Sequence, residues 1–430
     1  MIGRWLSRYD VFLHAYLVMV LGCIYFLFNY IEGISFSEKA GESLLFRAFW
    51  LLLYVLLMLQ ILRDFRRFGF LLSRSYLYLM FLGLAVVSLV HGSEPSGTLV
   101  KFAMYVVTTM FSAWLAASCP VDRLVETLYR IGAVILILHV LLFPVIGSDF
   151  DYDALHRLTI LGTDSYAGVF GHKNLAGAFF GLMVIISFVR MLSGPRSRFG
   201  LSALSMVCHF VALAAAGAAG PLISMVATLA ITIGLLFVVL SRRGVASIYW
   251  LALCFVGLVL LIVPSESLYA LVGRTPGLTG RSFLWSVWPH FFWQHPWLGY
   301  GFSGFFSELP NAPSAELTRM APWNTEFGSF ENSYLDALLQ FGLLGGAAYL
   351  LIVVRGLWNT IVFVFEHDGM YWLAPFAMLV FVLITSLNDS SQILHNYIAC
   401  VLVFWCYFGP EARLQEASRR AFNLTRASRT

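Results

Sequence analysis

Three short stretches hold residues whose types and spacing suit chemistry. In "LTGRSFLWSVWPHFFWQHPWLGYGF", Arg281 precedes Trp285, Trp288 and Phe292 at helical spacing. A guanidinium heading an aromatic helix face suits bidentate contact with a phosphate. In "FENSYLDALLQFGLLGG", Glu331 and Asn332 stand where an apolar run begins, and Asp336 lies about one turn inside it. Glu331 reads either as a helix-start acid favoured by the dipole or as a base facing a cavity. In "GVFGHKNLAG", His172, Lys173 and Asn174 precede another apolar run. Free N–H groups at a helix start favour anions. An alternative is that Asn174 caps the helix and Lys173 reaches up to lipid phosphate.

The elements that position these groups are written in the composition. The chain has 430 residues, 60% hydrophobic, 16% aromatic and 12% charged, whereas a soluble domain carries about a quarter charged residues. Mostly apolar runs recur along the whole length, more than a globular core absorbs. They predict an all-α, polytopic transmembrane bundle of about twelve spans: 11–30, 46–62, 75–91, 98–118, 128–146, 175–193, 200–216, 221–240, 247–264, 333–354, 370–387 and 394–409. The pair 200–216 and 221–240 reads either as two spans or as one element bent at Gly220-Pro221. The first span has no small-residue cleavage site after it and reads as an anchor. Residues 1–410 form one transmembrane domain, and 411–430 a basic cytoplasmic tail.

With both termini inside, nineteen of the 27 Lys and Arg residues fall in inner loops, the distribution expected of the positive-inside bias. The net charge of +4 is thus a topology signal and carries no nucleic-acid footprint. Two long outer loops remain, about 147–174 and 265–332, and both hold positive charge on the disfavoured side. Asp149, Asp151 and Asp153 alternate in the first, but a hard-cation loop needs more oxygen ligands and a turn glycine, so they read as a solvated acidic edge. In the second, Thr279 and Gly280 suit a turn, Pro289 suits a kink or break, and "HPWLGYGF" closes the segment after His295. Short helices along the membrane face, with rings at headgroup depth, fit that pattern. The six cysteines have no metal-ligand spacing and read as packing residues.

Taken in order, the three blocks resemble the O-antigen ligase and polymerase family, the first being closest to its exopolysaccharide-polymerase branch. The resemblance covers about Gly168 to Gly346 by motif, and the whole chain by span count and the large late loop. It implies a GT-C-like membrane glycosyltransferase in the bacterial inner membrane. Such an enzyme takes glycans from undecaprenyl diphosphate at the outer face, beside a flippase and a chain-length regulator. The family's glycine-arginine pair matches Gly280-Arg281. Its histidine-asparagine pair falls on Glu331-Asn332, so the histidine is missing. The mid-chain basic residue should fall near "AAAGAAGPLIS", which holds no Lys or Arg, and the branch's tryptophan-arginine is replaced by Tyr166-Ala167.

The expected function is therefore a polysaccharide polymerase that moves a lipid-linked glycan onto the hydroxyl of another lipid-linked repeat unit. Arg281 holds the diphosphate and Glu331 deprotonates the acceptor. Arg157, His172, Lys173, Asn174, Arg274, Trp285, His295 and Asn332 line the substrate, with Arg157, Arg274, His172 and Lys173 supplying the cationic charge lost mid-chain. No metal and no cofactor is expected. The alternatives are a ligase delivering the glycan to a lipid core, a transporter of the same glycan, and an export subunit without activity.

Overall fold

The computed structural model describes residues 8–23, 43–91, 95–141, 166, 168–170, 172–241, 280–307, 312–321, 327–366, 370–410 and 412. Among the described residues all regular structure is helical. The helices are α1 (Arg8–Val20), α2 (Leu44–Arg63), α3 (Phe65–Arg74), α4 (Tyr76–His91), α5 (Pro95–Ser118), α6 (Val121–Leu141) and α7 (Lys173–Ser193). They continue with α8 (Arg196–Ala215), α9 (Ala219–Ser241), α10 (Arg281–Phe292), α11 (Pro313–Met320), α12 (Ser333–Glu366), α13 (Leu373–Thr385) and α14 (Ile398–Pro410).

Seven of these helices are long and apolar enough to cross a membrane, or eight if α3 and α4, bent by 83° at their junction, count as one span. Three shorter apolar helices accompany them at the positions expected for the first and the last two spans. The expected span 247–264, the acidic edge Asp149 to Asp153, and the basic tail apart from Ala412 lie outside the described residues. The chain is a multi-pass helical membrane protein. The stretch 63–74, read from sequence as a loop, holds the amphipathic helix α3, which buries Phe68 and Leu71.

The open question at Gly220-Pro221 resolves as two helices. Gly217 takes φ +64, the left-handed backbone that ends α8, and Pro221 falls in the first turn of α9, where a missing N–H costs nothing. Of the five described cysteines, Cys23, Cys119, Cys400 and Cys406 are buried, as packing residues are.

The described residues group into two compact units. The first comprises residues 1–56, 120–278 and 361–385. Its centre is α7, which buries almost every side chain from Ala176 to Arg190 and is enclosed by α6, α8, α9 and α13, as a helix that is apolar all round requires. Two glycines allow the approach. A Cβ on Gly177 would fall 2.6 Å from Ala218 Cβ, and one on Gly181 would fall 2.8 Å from Phe381. At the far end of α7, Arg190 is 4% exposed. Its guanidinium meets Glu126 at 2.9 Å and the Ser202 hydroxyl at 2.7 Å, and lies 3.9 Å over the Tyr129 ring.

The second unit comprises residues 57–119, 279–360 and 386–430. Its interior is aromatic: Phe81 packs edge-on to Phe341 at 5.1 Å and Tyr105 lies 4.9 Å from Phe302. The unit's governing feature is an interruption in α12. Gly342 leaves helical geometry (φ 63, ψ −169) and divides the helix into 333–341 and 343–366. A break in a membrane helix strands backbone donors and acceptors, which must be satisfied by protein. Here the segment 296–301 supplies the partners. Tyr300 and Gly301 N–H donate to the Leu339 and Gln340 carbonyls at 2.9 and 3.0 Å. Leu343 and Leu344 N–H donate to the Pro296 and Trp297 carbonyls at 2.7 and 3.3 Å. The Gln340 side chain also accepts from Ser303 N–H at 2.9 Å. The loop after α10 and the first half of α12 are thereby stitched into one piece.

Candidate functional site

The site grows from that stitching, because α10 carries Arg281 and the residues before α12 carry Glu331. Gly280, at φ +68, is the left-handed turn from which α10 starts. The helix passes through Pro289 without ending and reaches Phe292, so of the kink or break expected there the break is absent. Pro289 is exposed, and the Trp293 N–H closes the last turn on its carbonyl at 3.1 Å. Leu284 and Phe291 of α10 join Tyr300, Phe305, Leu317, Phe330 and Leu339 in one apolar cluster. The Trp285 and Trp288 rings, expected at headgroup depth, are tied into the fold. Their indole N–H groups donate to the Phe330 and Leu335 carbonyls at 3.0 and 3.1 Å, fastening α10 across the start of α12.

Glu331 takes φ +53, a left-handed backbone that is uncommon for a residue with a side chain. The neighbours impose it. Phe330 N–H is held by both oxygens of Asp336, at 3.1 and 3.3 Å, while Trp285 holds its carbonyl. Glu331 N–H donates to Ser329 Oγ at 3.3 Å. Asn332 then caps α12, its Oδ1 accepting from Tyr334 and Leu335 N–H at 3.0 and 3.1 Å and its Nδ2 donating to the Leu387 carbonyl at 3.0 Å. Expected at the substrate, the Asn332 amide is instead spent on the fold. Strain held in place by its surroundings clusters at functional positions.

The result is a salt bridge between the two central residues, Arg281 Nη2 donating to Glu331 Oε2 at 3.1 Å. The side chains are 19% and 40% exposed, so a ligand can reach both. Behind them lies a feature that the sequence did not announce. Asp336, 1% exposed, also accepts from the Ser390 hydroxyl, and Ser333 Oγ donates to the Asp389 carbonyl at 2.7 Å. The segment between α13 and α14 thus brings Asp389 to the same place. Burial, reinforced by the Glu331 charge, pushes the Asp389 carboxyl above its usual range, while a hydrogen bond from Ser391 and the Arg281 charge pull the other way. A carboxyl shifted in that direction beside an arginine and a second carboxylate is equipped for proton transfer.

The remaining expected residues divide. His295 is exposed, with its ring 4.5 Å from Tyr300, and none of its described contacts ties it to the Arg281–Glu331 pair. Arg157 and Arg274 lie outside the described residues. His172, Lys173 and Asn174 begin α7 in the first unit. The cap there is His172 and not Asn174: the His172 ring accepts from Asn174 N–H at 3.2 Å. The block before them wraps His139. Tyr166 donates its hydroxyl to the His139 carbonyl at 2.8 Å, and a Cβ on Gly168 (φ +51) would fall 2.3 Å from the His139 ring. Tyr166, standing where the related branch has tryptophan, therefore has a packing role, and burial pushes its phenol up to about 12. The mid-chain stretch that holds no basic residue is tightly packed. In that stretch Ala218 is 1% exposed and packs on Gly177, where the helices approach closely.

Residues 204–350, about a third of the chain, match the O-antigen ligase family. The matched part runs from α8 into the second half of α12 and contains Arg281, Glu331 and Asp336, but neither the His172 block nor Asp389. Over that part the chain is similar to O-antigen ligases, and the match supports a membrane protein of the ligase/polymerase kind. Comparison with curated proteins gave no match.

Proposed function

We propose that the protein is a polysaccharide polymerase that extends glycans carried on undecaprenyl diphosphate at the outer face of the bacterial inner membrane. The observation that carries this reading is the Arg281–Glu331 ion pair, with Asp336 and Asp389 behind it, inside a site reachable from outside the protein core. Arg281 takes the donor's diphosphate through its fork of N–H groups. An incoming phosphate competes for the guanidinium that now holds Glu331, so donor binding releases the carboxylate. Glu331 then accepts the proton of the acceptor hydroxyl. The hydroxyl oxygen forms the new bond to the anomeric carbon from the face opposite the diphosphate, whose oxygen leaves with the bonding electron pair. Neutralising that departing charge in a partly desolvated site is where Arg281 contributes most.

Purified protein supplied with labelled lipid-linked repeat units tests the reading. The wild type should lengthen the glycan, and Arg281→Gln and Glu331→Gln should each lower the rate by about a hundredfold or more. Full elongation by either variant removes the proposal. Transfer only to a lipid A core acceptor replaces polymerase with ligase, and translocation without elongation replaces both with a transporter.

A further inference from the structure

Three arginines of the first unit share one carboxylate. Arg190 is fully engaged: its Nε and Nη2 meet Glu126 at 2.9 and 3.4 Å, and its Nη1 donates to Ser202 Oγ at 2.7 Å. The other two reach Glu126 from nearer the surface. Arg130 Nη2 lies 3.3 Å from Oε1 and Arg198 Nη1 lies 3.9 Å from Oε2, with side chains 42% and 52% exposed. At 3.9 Å Arg198 is attracted to the carboxylate without a hydrogen bond. Among the described residues nothing accepts from its guanidinium. The scaffold beneath is fixed. Tyr129 carries the Arg190 guanidinium 3.9 Å over its ring and donates its hydroxyl to the Leu201 carbonyl at 3.3 Å, which ties α6 to the start of α8. Each exposed arginine also heads a bare apolar surface. On α6, Val134, Ile137 and Leu141 follow Arg130 on the same face, all exposed. On α8, Leu201 lies one turn beyond Arg198 and Leu204 one turn further, both exposed. The helices α6, α7 and α8 are each long and apolar enough to cross a membrane. The cluster sits where α7 ends and α8 begins, on the membrane face opposite the His172 block.

We propose that Arg130 and Arg198 form a binding site for an anionic phospholipid. Their guanidiniums take its phosphodiester, and its acyl chains lie along the exposed surfaces of α6 and α8. Free phosphate would satisfy the two arginines as well, but the apolar surface that begins directly beyond each of them selects a lipid. Basic pockets between membrane helices on the cytoplasmic side hold anionic headgroups, and the positive-inside bias assigns this face to that side. The shared Glu126 sets the site apart from bulk headgroup attraction, because it gathers the two cations before any lipid arrives. The site is independent of Arg281 and of the reaction proposed for the second unit.

The test is native mass spectrometry of the full chain released from phosphatidylcholine nanodiscs doped with phosphatidylglycerol. The wild type should retain phosphatidylglycerol in preference to phosphatidylcholine. Arg130→Gln combined with Arg198→Gln should weaken that retention about tenfold or more, whereas Arg130→Lys combined with Arg198→Lys should keep most of it. A wild type without the preference, or a Gln pair with the preference intact, overturns the site. Thermal unfolding gives a second reading. Phosphatidylglycerol should raise the wild-type melting temperature above that in phosphatidylcholine alone, and the Gln pair should gain nothing from it; an equal gain in both overturns the site. Should the Gln pair fail to fold, the two wild-type measurements decide alone. Displacement of the lipid by inorganic phosphate at comparable concentration would assign the arginines to the free anion and overturn the lipid. None of these outcomes bears on the Arg281 reading.

Discussion

Trp285 and Asp336 hold Phe330 from its two sides, the indole on the carbonyl at 3.0 Å and the carboxylate on the N–H at 3.1 Å. One group comes from α10 and the other from α12, so the peptide leading into Glu331 is fixed by two helices before any substrate arrives. Trp285→Phe keeps the ring in the aromatic cluster and removes only the indole donor. It should cost about 1 kcal/mol of stability. It should also lower kcat for elongation while leaving undecaprenyl diphosphate affinity unchanged, because the indole does not touch the phosphate. A changed affinity with an intact kcat would count against this positioning role.

Glu331→Gly separates the backbone role of position 331 from its chemistry. Glycine accepts φ +53 without penalty, which offsets the loss of the half-exposed ion pair with Arg281, so the variant should stay within about 1 kcal/mol of the wild type in thermal stability. Its elongation rate should nevertheless fall about a hundredfold or more, since the base is gone. An active glycine variant would transfer the base role elsewhere, with Asp389 the next residue to examine.

The stitched break in α12 depends on glycine at two places. A Cβ on Gly342 would fall 2.3 Å from the Trp297 carbonyl group, and one on Gly299 would fall 2.5 Å from the Gln340 carbonyl oxygen. Both residues have positive φ. Gly342→Ala and Gly299→Ala should each destabilise by roughly 2–4 kcal/mol through combined clash and backbone strain. Gly83→Ala, on a helix with nothing within 4 Å of the added carbon, should be neutral or slightly stabilising. Thermal unfolding of the three variants in one detergent decides the matter.

Acidification should weaken the protein through His395. Its imidazole drops from the usual 6.5 to about 4 in the folded chain, so the unfolded chain binds more protons in between. Stability from this group is complete above about pH 6.5 and declines as pH falls toward 4. His395→Asn should flatten that part of the profile relative to the wild type, measured as urea midpoint against pH. Superimposable profiles would show that the buried ring is not what titrates.

In the first unit, Glu126 balances Arg190 at 2.9 Å, with Arg130 and Arg198 at 3.3 and 3.9 Å. Glu126→Gln leaves Arg190 buried without its counter-charge and should cost about 3 kcal/mol. Glu126→Gln combined with Arg190→Met should recover much of that loss, as judged by the melting temperature.

The helical membrane fold was legible from apolar runs, because the bilayer imposes their length. Gly342 was not. Within "LLQFGLLGGAAYL" its neighbours are as apolar as those of an unbroken span, and the interruption exists only because residues 296–301 dock there. Arg281 and Glu331 could be singled out because charge at a membrane entry is costly and rare. Asp389 and Ser390 could not, since "NDSSQ" has the composition of any polar turn and gains meaning only when Ser390 meets Asp336. Asn332 reads as a substrate residue from its place beside Glu331, yet the demands of a helix start claim both ends of its amide. His172 reads as a cation in sequence, while the chain uses its ring as a cap.

The grip of Arg281 on Glu331 has a kinetic corollary. While no donor is present the acid group is masked, so a stray hydroxyl, whether of sugar or water, meets no proton acceptor. Catalysis built this way is sequential, with the donor lipid entering ahead of the acceptor lipid. Steady-state inhibition by free undecaprenyl diphosphate should then be competitive toward the first lipid and non-competitive toward the second.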